Sequence, residues 1–296
     1  MFNLTSEEVG RISQISFVLE PITEKPGLTT RTKDLNSNLK LENFLVAGIN
    51  VGKSFEKLAQ RILSIDIPNK LPVTYDLFLD AQKNSIKNRL GGRLNYGNIA
   101  ILFPLVITQC YLRETDPFKI LDNINKVLKL TCNEDTVKLQ ETKNFAYSLL
   151  KIHKQNIFKV KYDYKNILDY YIKTIPNSAE ESNVQYPYFI PDTVVWGSKN
   201  RVAGDGKTGS CMINREVTNN YPVLRYMLKV YFENFVKDGR QIIDIETGKP
   251  INISTAMGIV DSYTRKEFSG LNSQWFADLS TGLLYLIFSF NPKFVV

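Results

Sequence analysis

The sequence is poor in the side chains that most often perform catalysis or bind transition metals. Its 296 residues include one histidine, His153, and three cysteines, Cys110, Cys132 and Cys211. A zinc site needs several such ligands at short spacings, and these cysteines lie far apart. The composition therefore argues against a Ser–His–Asp triad and a His-rich zinc site, and we expect reduced thiols. Acid–base or metal chemistry is left to Asp, Glu, Lys, Tyr or Arg.

Long apolar runs are also missing. The two longest, residues 99–107 and 283–290, are much shorter than the roughly 20 apolar residues that a membrane-spanning helix needs. Residues 1–10 are polar and acidic, without the basic start and apolar stretch of a signal peptide. We therefore expect a soluble, cytoplasmic protein with no membrane partner.

The charge of the chain is moderately positive. Lys and Arg number 37 against 30 Asp and Glu, which gives a formal net charge of +7. This excess fits either a solvated basic surface or an anionic ligand such as a nucleotide, a coenzyme or a nucleic acid. No long basic run and no known nucleic-acid-binding motif is present, which favours a small ligand over nucleic acid.

Helical periodicity dominates the sequence and predicts an all-α protein of one large domain or two closely packed ones. Thr5 and Glu8 have the spacing of a capping box, and Asp116-Pro117 reads as an N-cap followed by proline at the first helical position. Apolar stripes at helical spacing include Val9, Ile12, Ile15 and Leu19; Phe44, Phe55, Leu58, Ile62 and Leu63; Ile120, Leu121, Ile124, Val127 and Leu128; Leu224, Met227 and Tyr231; and Leu279, Leu283, Leu286 and Ile287.

Proline and glycine mark the breaks between these stripes. Residues 21–28 predict a loop after the first helix, and residues 244–252 predict a short hairpin or a turn. Residues 176–209 form a long polar stretch, either a functional loop or an insertion between helical halves. Within it, residues 204–208 (GDGKT) resemble a P-loop, but that motif needs a glycine where this chain has Arg201. We expect an ordinary glycine-rich loop there.

Two blocks of the sequence contain both glycine, which lets a ligand approach the backbone closely, and basic side chains. Glu20 ends the first helix and is followed by a Pro-Gly turn that carries Lys25, Gly27 and Arg31. Such a turn either presents cations and N–H groups to a phosphate or serves as a plain loop. Further on, Arg93, Asn95 and Gly97 precede a buried apolar helix. A helix N-terminus there either binds an anion or simply starts a core helix.

Two later blocks place a carboxylate at a loop–helix junction. Asp192 stands beside Thr193, and Asp278 follows Asn272 by six positions. Aspartate at such points is commonly an N-cap or a turn residue. Together with Glu20, these carboxylates could instead hold Mg²⁺ on a triphosphate, since Mg²⁺ uses one or two protein carboxylates plus phosphate and water.

Taken in order, the four blocks resemble the triphosphoribosyl-dephospho-CoA synthase family (the CitG and MdcB group and its archaeal-type relatives). The first block follows E-x-x-T-x-K-P-G-L through Glu20, Thr23, Lys25, Pro26, Gly27 and Leu28. The second follows N-T-N-L-G and, after six intervening residues, Pro-Leu through Asn95, Gly97, Pro104 and Leu105. The third follows P-D-T-L-I through Pro191, Asp192, Thr193, Val194 and Val195. The fourth follows N-P-G-T-T-A-D-L through Asn272, Ala277, Asp278 and Leu279.

The resemblance implies an all-α domain of the orthogonal-bundle type over residues 1–296, with a long loop region near residues 176–210. It also implies a pentosyl-type transferase that moves the triphosphoribosyl group of ATP to 3′-dephospho-CoA and releases adenine, with Mg²⁺ as the expected metal. A homodimer is left open. The implied base or metal ligands are Glu20, Asp192 and Asp278. The implied nucleotide and phosphate contacts are Lys25, Gly27, Arg31, Arg93, Asn95, Gly97, Thr193 and Asn272.

The chain also departs from the family pattern. Asn95-Tyr96 stands where the synthases have His-Lys, and Gly197-Ser198 where they have Arg-Lys. Residues 273–276 (SQWF) replace Pro-Gly-Thr-Thr. These changes favour, as a second interpretation, a divergent homologue that binds a nucleotide or coenzyme and has a different activity or none. A third interpretation is a basic nucleic-acid-binding or assembly protein.

Overall fold

Helices account for most of the residues that the computed structural model describes, which are 3–23, 40–65, 70–88, 95–148, 159–174, 221–238, 241–267 and 273–291. The described helices are α1 Ser6–Ile22, α2 Leu41–Leu63, α3 Asp76–Ser85, α4 Tyr96–Leu112, α5 Pro117–Leu128, α6 Asn133–Ser148, α7 Ile167–Thr174, α8 Tyr221–Asn234, α9 Ile253–Glu267 and α10 Ser273–Phe290. The predicted all-α class is confirmed. The loop region predicted near residues 176–210, the GDGKT stretch and His153 lie outside the described residues.

The first helix begins as predicted and ends later than predicted. Thr5 Oγ1 accepts a hydrogen bond from the Glu8 backbone N–H at 3.2 Å, and Glu8 Oε2 accepts one from Thr5 N–H at 2.7 Å, which completes the capping box. The predicted loop start at Pro21 is wrong, because Pro21 is buried inside the last turn of α1. That turn is closed by Thr23, whose N–H and Oγ1 both donate to the Glu20 carbonyl. Proline has no backbone N–H to donate to the helix. Burial of its ring and the hydrogen bonds of Thr23 compensate for that missing hydrogen bond.

Helix α4 is the centre of the core. All of its residues from Tyr96 to Cys110 are buried, including Pro104. It packs against α2, α3, α5 and α10. The continuous apolar run that begins at Ile99 is therefore a buried helix surrounded by other helices rather than a surface helix with one apolar face.

A small antiparallel sheet lies between α8 and α9 in the chain. Its strands are β1 Phe235–Asp238, β2 Gln241–Asp244 and β3 Pro250–Ile251, in the order β1-β2-β3. Ile243 pairs with Val236 on one side and with Pro250 on the other. Gly248 has φ +64° in the connection from β2 to β3, so the turn uses a conformation that glycine adopts easily. The hairpin predicted at residues 244–252 is confirmed, whereas β1 was not predicted.

The last described helix, α10, is inserted among earlier helices. It packs against α1, α4, α5 and α8. Its contact with α4 is close at Gly282, where an added Cβ would stand 2.8 Å from Ile101 Cγ2. This close contact brings the first turn of α4 beside the first half of α10. No helix in the part of the chain that the structure describes is long and apolar enough to cross a membrane.

Candidate functional site

The first turn of α4 and the first half of α10 meet at Gly97 and Asp278. A Cβ on Gly97 would overlap the whole Asp278 carboxyl group, with even Oδ1 only 2.6 Å away. Asp278 is buried, with 7% of its surface exposed. The structure thus brings together one predicted residue from the second block and one from the fourth. Glycine is required at position 97 because the carboxylate lies where a side chain would begin.

Neighbouring polar side chains extend this contact. Asn98 Nδ2 donates a hydrogen bond of 2.6 Å to Thr281 Oγ1, and both residues are buried. Neither was predicted as a site residue. The sequence indicates them only through their closeness to predicted residues, because Asn98 follows Gly97 and Thr281 lies one helical turn after Asp278.

Asn95 lies immediately before α4, as predicted. Its backbone is left-handed, with φ 59° and ψ 14°, a conformation that asparagine tolerates better than most residues. Its carbonyl accepts the first helical hydrogen bond from Ile99 N–H at 2.9 Å. Its side chain makes no capping hydrogen bond to the described residues of α4, although it is buried. The side chain is therefore placed at the entrance to the helix without taking part in its hydrogen bonding.

The position of the Asp278 carboxylate has an electrostatic consequence. The first-turn N–H groups of a helix and its dipole favour an anion at the N-terminus. At α4 that end was predicted to face a phosphate, and it has the carboxyl group of Asp278 beside it. A carboxylate there can accept a proton or bind a cation, and it repels a phosphate that approaches without a cation.

The remaining predicted residues are only partly placed. Glu20 is buried, with 4% of its surface exposed, on α1, which packs against α10. Its convergence with Asp278 stays a prediction. The predicted residues outside the described part of the chain are Lys25, Gly27, Arg31, Arg93, Asp192, Thr193 and Asn272. Within the described ranges, no three His, Cys, Asp or Glu side chains form a group able to hold a metal ion. The predicted trio includes Asp192, so this observation does not test it.

Phe276 occupies the place of the second threonine in the family's fourth block. Its side chain is buried, and the Arg265 guanidinium lies 5.5 Å from the centre of its ring. Arg265 in turn donates to Asp261 at 2.6 Å. Phe276 is therefore part of the packed interior of the helical core, where it offers no donor to a phosphate.

A second polar cluster lies further along the α4–α10 contact. Tyr285 donates a short hydrogen bond to the Gln109 side-chain carbonyl, and both residues are fully buried. Burial raises the pKa of Tyr285 well above its ordinary value, and nearby Cys110 adds to the effect. Burial also raises the pKa of the Cys110 thiol. Both groups stay protonated at neutral pH, which suits a structural role.

Three kinds of comparison bear on the family. No protein-family model, no curated protein sequence and no solved structure matches the chain. The resemblance to the triphosphoribosyl-dephospho-CoA synthases therefore rests on the four sequence blocks and stays a prediction. The described cysteines agree with the expectation of reduced thiols, since Cys110 and Cys132 are both free. Cys211 lies outside the described residues.

Proposed function

We propose that the chain is a nucleotide-dependent transferase that resembles the triphosphoribosyl-dephospho-CoA synthases. It would move the triphosphoribosyl group of ATP to a ribose hydroxyl of 3′-dephospho-CoA and release adenine. The observation that carries this proposal is the contact between Gly97 and Asp278. These residues come from two blocks far apart in sequence, and a shared site requires them to be neighbours.

The chemistry suits a buried carboxylate. In the proposed reaction the acceptor hydroxyl attacks the anomeric carbon of the ATP ribose, while the bond to adenine breaks, and its electron pair leaves with the adenine, which takes up a proton. A carboxylate that accepts the hydroxyl proton during the attack speeds such a step by about 10²–10⁴-fold. We assign this role to Asp278, and we assign Asn95, the residue before α4, to the lining of the nucleotide pocket.

The carboxylates also suit a hard cation. Mg²⁺ prefers oxygen ligands and commonly binds through one or two carboxylates plus substrate phosphates. Asp278, with Glu20 and Asp192 as its proposed companions, offers this type of ligand. When bound, Mg²⁺ would neutralise triphosphate charge, which removes the repulsion between that charge and the Asp278 carboxylate.

The proposal is tested by adenine release. The full chain is incubated with ATP, Mg²⁺ and 3′-dephospho-CoA, and free adenine is measured by chromatography. We expect Asp278→Asn to lower the rate by at least 100-fold, in line with the loss of a general base. Asp80→Asn is the control, because Asp80 is a half-buried carboxylate on α3 that accepts hydrogen bonds from Ser54 and Asn84. The proposal is wrong if the wild-type chain releases no adenine or if Asp278→Asn releases it at the wild-type rate.

A divergent homologue that binds a nucleotide or coenzyme without this transfer is the second candidate. It is favoured by Phe276, whose buried ring replaces a small hydroxyl residue of the synthases. It predicts that ATP binds, as measured by calorimetry, without adenine release. In that case Asp278→Asn should preserve or tighten ATP binding, because the variant removes a negative charge beside the α4 N-terminus. Adenine release by the wild-type chain would instead favour the transferase.

A further inference from the structure

The segment before α7 presents an exposed tyrosine and several exposed lysines, away from the Gly97–Asp278 contact in sequence. The segment of residues 159–166, which leads into α7, is here called the strap. Gln140 on α6 pairs with the Lys161 backbone in both directions, since its Nε2 donates to the carbonyl and its Oε1 accepts from the N–H, each at 2.9 Å. Asn133 Nδ2 donates to the carbonyls of Tyr162 at 2.7 Å and Tyr164 at 2.8 Å. The strap is thus fixed to α6 by side-chain amides.

The two tyrosines of the strap have opposite environments. Tyr164 is buried and packs edge-on against Tyr170, with ring centres 5.0 Å apart. Tyr162 has 72% of its surface exposed. Single exposed apolar residues are common on protein surfaces. Tyr162 differs because its own carbonyl is anchored, so the ring is presented to solvent from a backbone that is already ordered.

Three lysines lie within three positions of Tyr162 in the sequence. Lys159, Lys161 and Lys165 are exposed, and they form no ion pair within the described part of the chain. The only acid inside the strap is Asp163. Asp169, at the start of α7, accepts from the Lys165 backbone N–H and pairs with the Lys173 ammonium at 2.9 Å, and its charge also interacts with that of Lys165. The strap therefore carries an excess of positive charge on both sides of Tyr162.

An ordered aromatic ring between cations fits one class of ligand well. Single-stranded nucleic acids are bound by aromatic rings that stack on exposed bases and by cations that follow the backbone phosphates. At about 3.3 Å per residue the strap from Lys159 to Lys165 spans at most about 20 Å, enough to face several phosphates. In a duplex the base faces are already stacked, so an exposed ring gains little. Anchoring by Gln140 and Asn133 lowers the ordering cost of binding.

We propose that the strap binds single-stranded nucleic acid, with Tyr162 stacking on a base and Lys159, Lys161 and Lys165 facing phosphates. This binding is independent of the proposed transferase activity. The sequence analysis kept a basic nucleic-acid-binding protein as its third interpretation, and the strap gives that interpretation a specific surface. The sequence shows no long basic run there, because the strap has only three lysines spread over seven positions.

The test is fluorescence anisotropy of the full chain with labelled single-stranded 12-mers of dT and rU at low salt. We expect binding that weakens as salt rises. Tyr162→Ala should weaken it by at least about fivefold, the lower end of the loss of one base stack. The triple variant Lys159→Ser, Lys161→Ser and Lys165→Ser should lower the slope of log K against log salt by about 2. These side chains are exposed, so the variants are expected to fold.

The matched control is Tyr263→Ala. Tyr263 on α9 is also exposed, at 47%, and two cations, Arg265 and Lys266, follow it closely. It should leave binding unchanged. The proposal is overturned if the wild-type chain does not bind, if Tyr162→Ala binds as tightly as wild type, if Tyr263→Ala weakens binding equally, or if duplex DNA binds as tightly as the single strand. Asp278→Asn should bind the 12-mers normally, which separates this surface from the proposed transferase site.

Discussion

At position 97 only a hydrogen atom fits beside the Asp278 carboxyl group. We expect Gly97→Ala to destabilise the protein by about 1–3 kcal/mol, because the added methyl forces a buried carboxylate to move. This range already allows for the higher helix propensity of alanine, which alone would stabilise the protein by about 1 kcal/mol. Urea unfolding followed by circular dichroism measures the change.

Gly258 on α9 provides the control for this substitution. A Cβ at Gly258 meets nothing within 4 Å in the described structure. Gly258→Ala should therefore stabilise the protein by up to about 1 kcal/mol through helix propensity alone. If both variants shift the unfolding midpoint in the same direction, the proposed overlap with Asp278 is wrong.

At the scale of single residues, the sequence indicated two residues of the candidate site but not which residues contact each other. Gly97 and Asp278 were both predicted, from the glycine-containing start of α4 and a carboxylate near a loop–helix junction. The hydrogen bond between Asn98 and Thr281 joins positions 183 apart. No local pattern encodes such a pairing, because periodicity shows which face of a helix is buried and leaves its partner helix open.

Between elements, Asp135 joins the starts of α3 and α6. Its Oδ1 accepts hydrogen bonds from the backbone N–H groups of Thr74 at 2.7 Å and Tyr75 at 3.0 Å. Its Oδ2 accepts from the N–H of Cys132 at 2.9 Å, the residue before α6. The carboxyl group is fully buried, so these donors depend on it for their hydrogen bonds.

We expect Asp135→Asn to destabilise the protein by about 2–4 kcal/mol, since an amide replaces one acceptor oxygen with a donor and weakens the remaining bonds. The measurement is the urea midpoint, with an unchanged dependence of the unfolding free energy on urea. Asp163→Asn, an exposed acid on the strap, should stay within about 0.5 kcal/mol of wild type. An equal loss in both variants would show that net charge, rather than the buried hydrogen bonds, is responsible.

The elements themselves were predictable where the signal was strong and local. The capping box of α1 and the Asp116-Pro117 start of α5 were both confirmed. Strand β1 was missed because its four residues follow α8 with no turn residue between them. The loop start predicted at Pro21 is wrong because the sequence does not show that burial of the proline ring keeps the last turn of α1 helical.

At the scale of the whole molecule, helices that are far apart in the sequence pack against each other. Helix α10, near the end of the described chain, packs against α1 and α4, which precede it by more than 150 residues. One cluster of buried apolar residues runs from Leu4 to Phe288 and includes members of all ten described helices. The first helices therefore complete their core only when α10 is present, because α4 otherwise exposes an apolar face.

Removal of α10 is expected to abolish cooperative folding of the rest. A chain that ends after Glu267 should lack a sharp urea transition and should bind apolar dyes, since the faces of α1 and α4 that α10 covers become exposed. A chain that ends after Asn291 keeps α10 whole and should unfold in one transition, as measured by circular dichroism and calorimetry. If the shorter chain still unfolds sharply, the N-terminal helices form an independent domain. The predicted single domain over residues 1–296 would then be wrong, and the Gly97–Asp278 site would lie between two separately folding units.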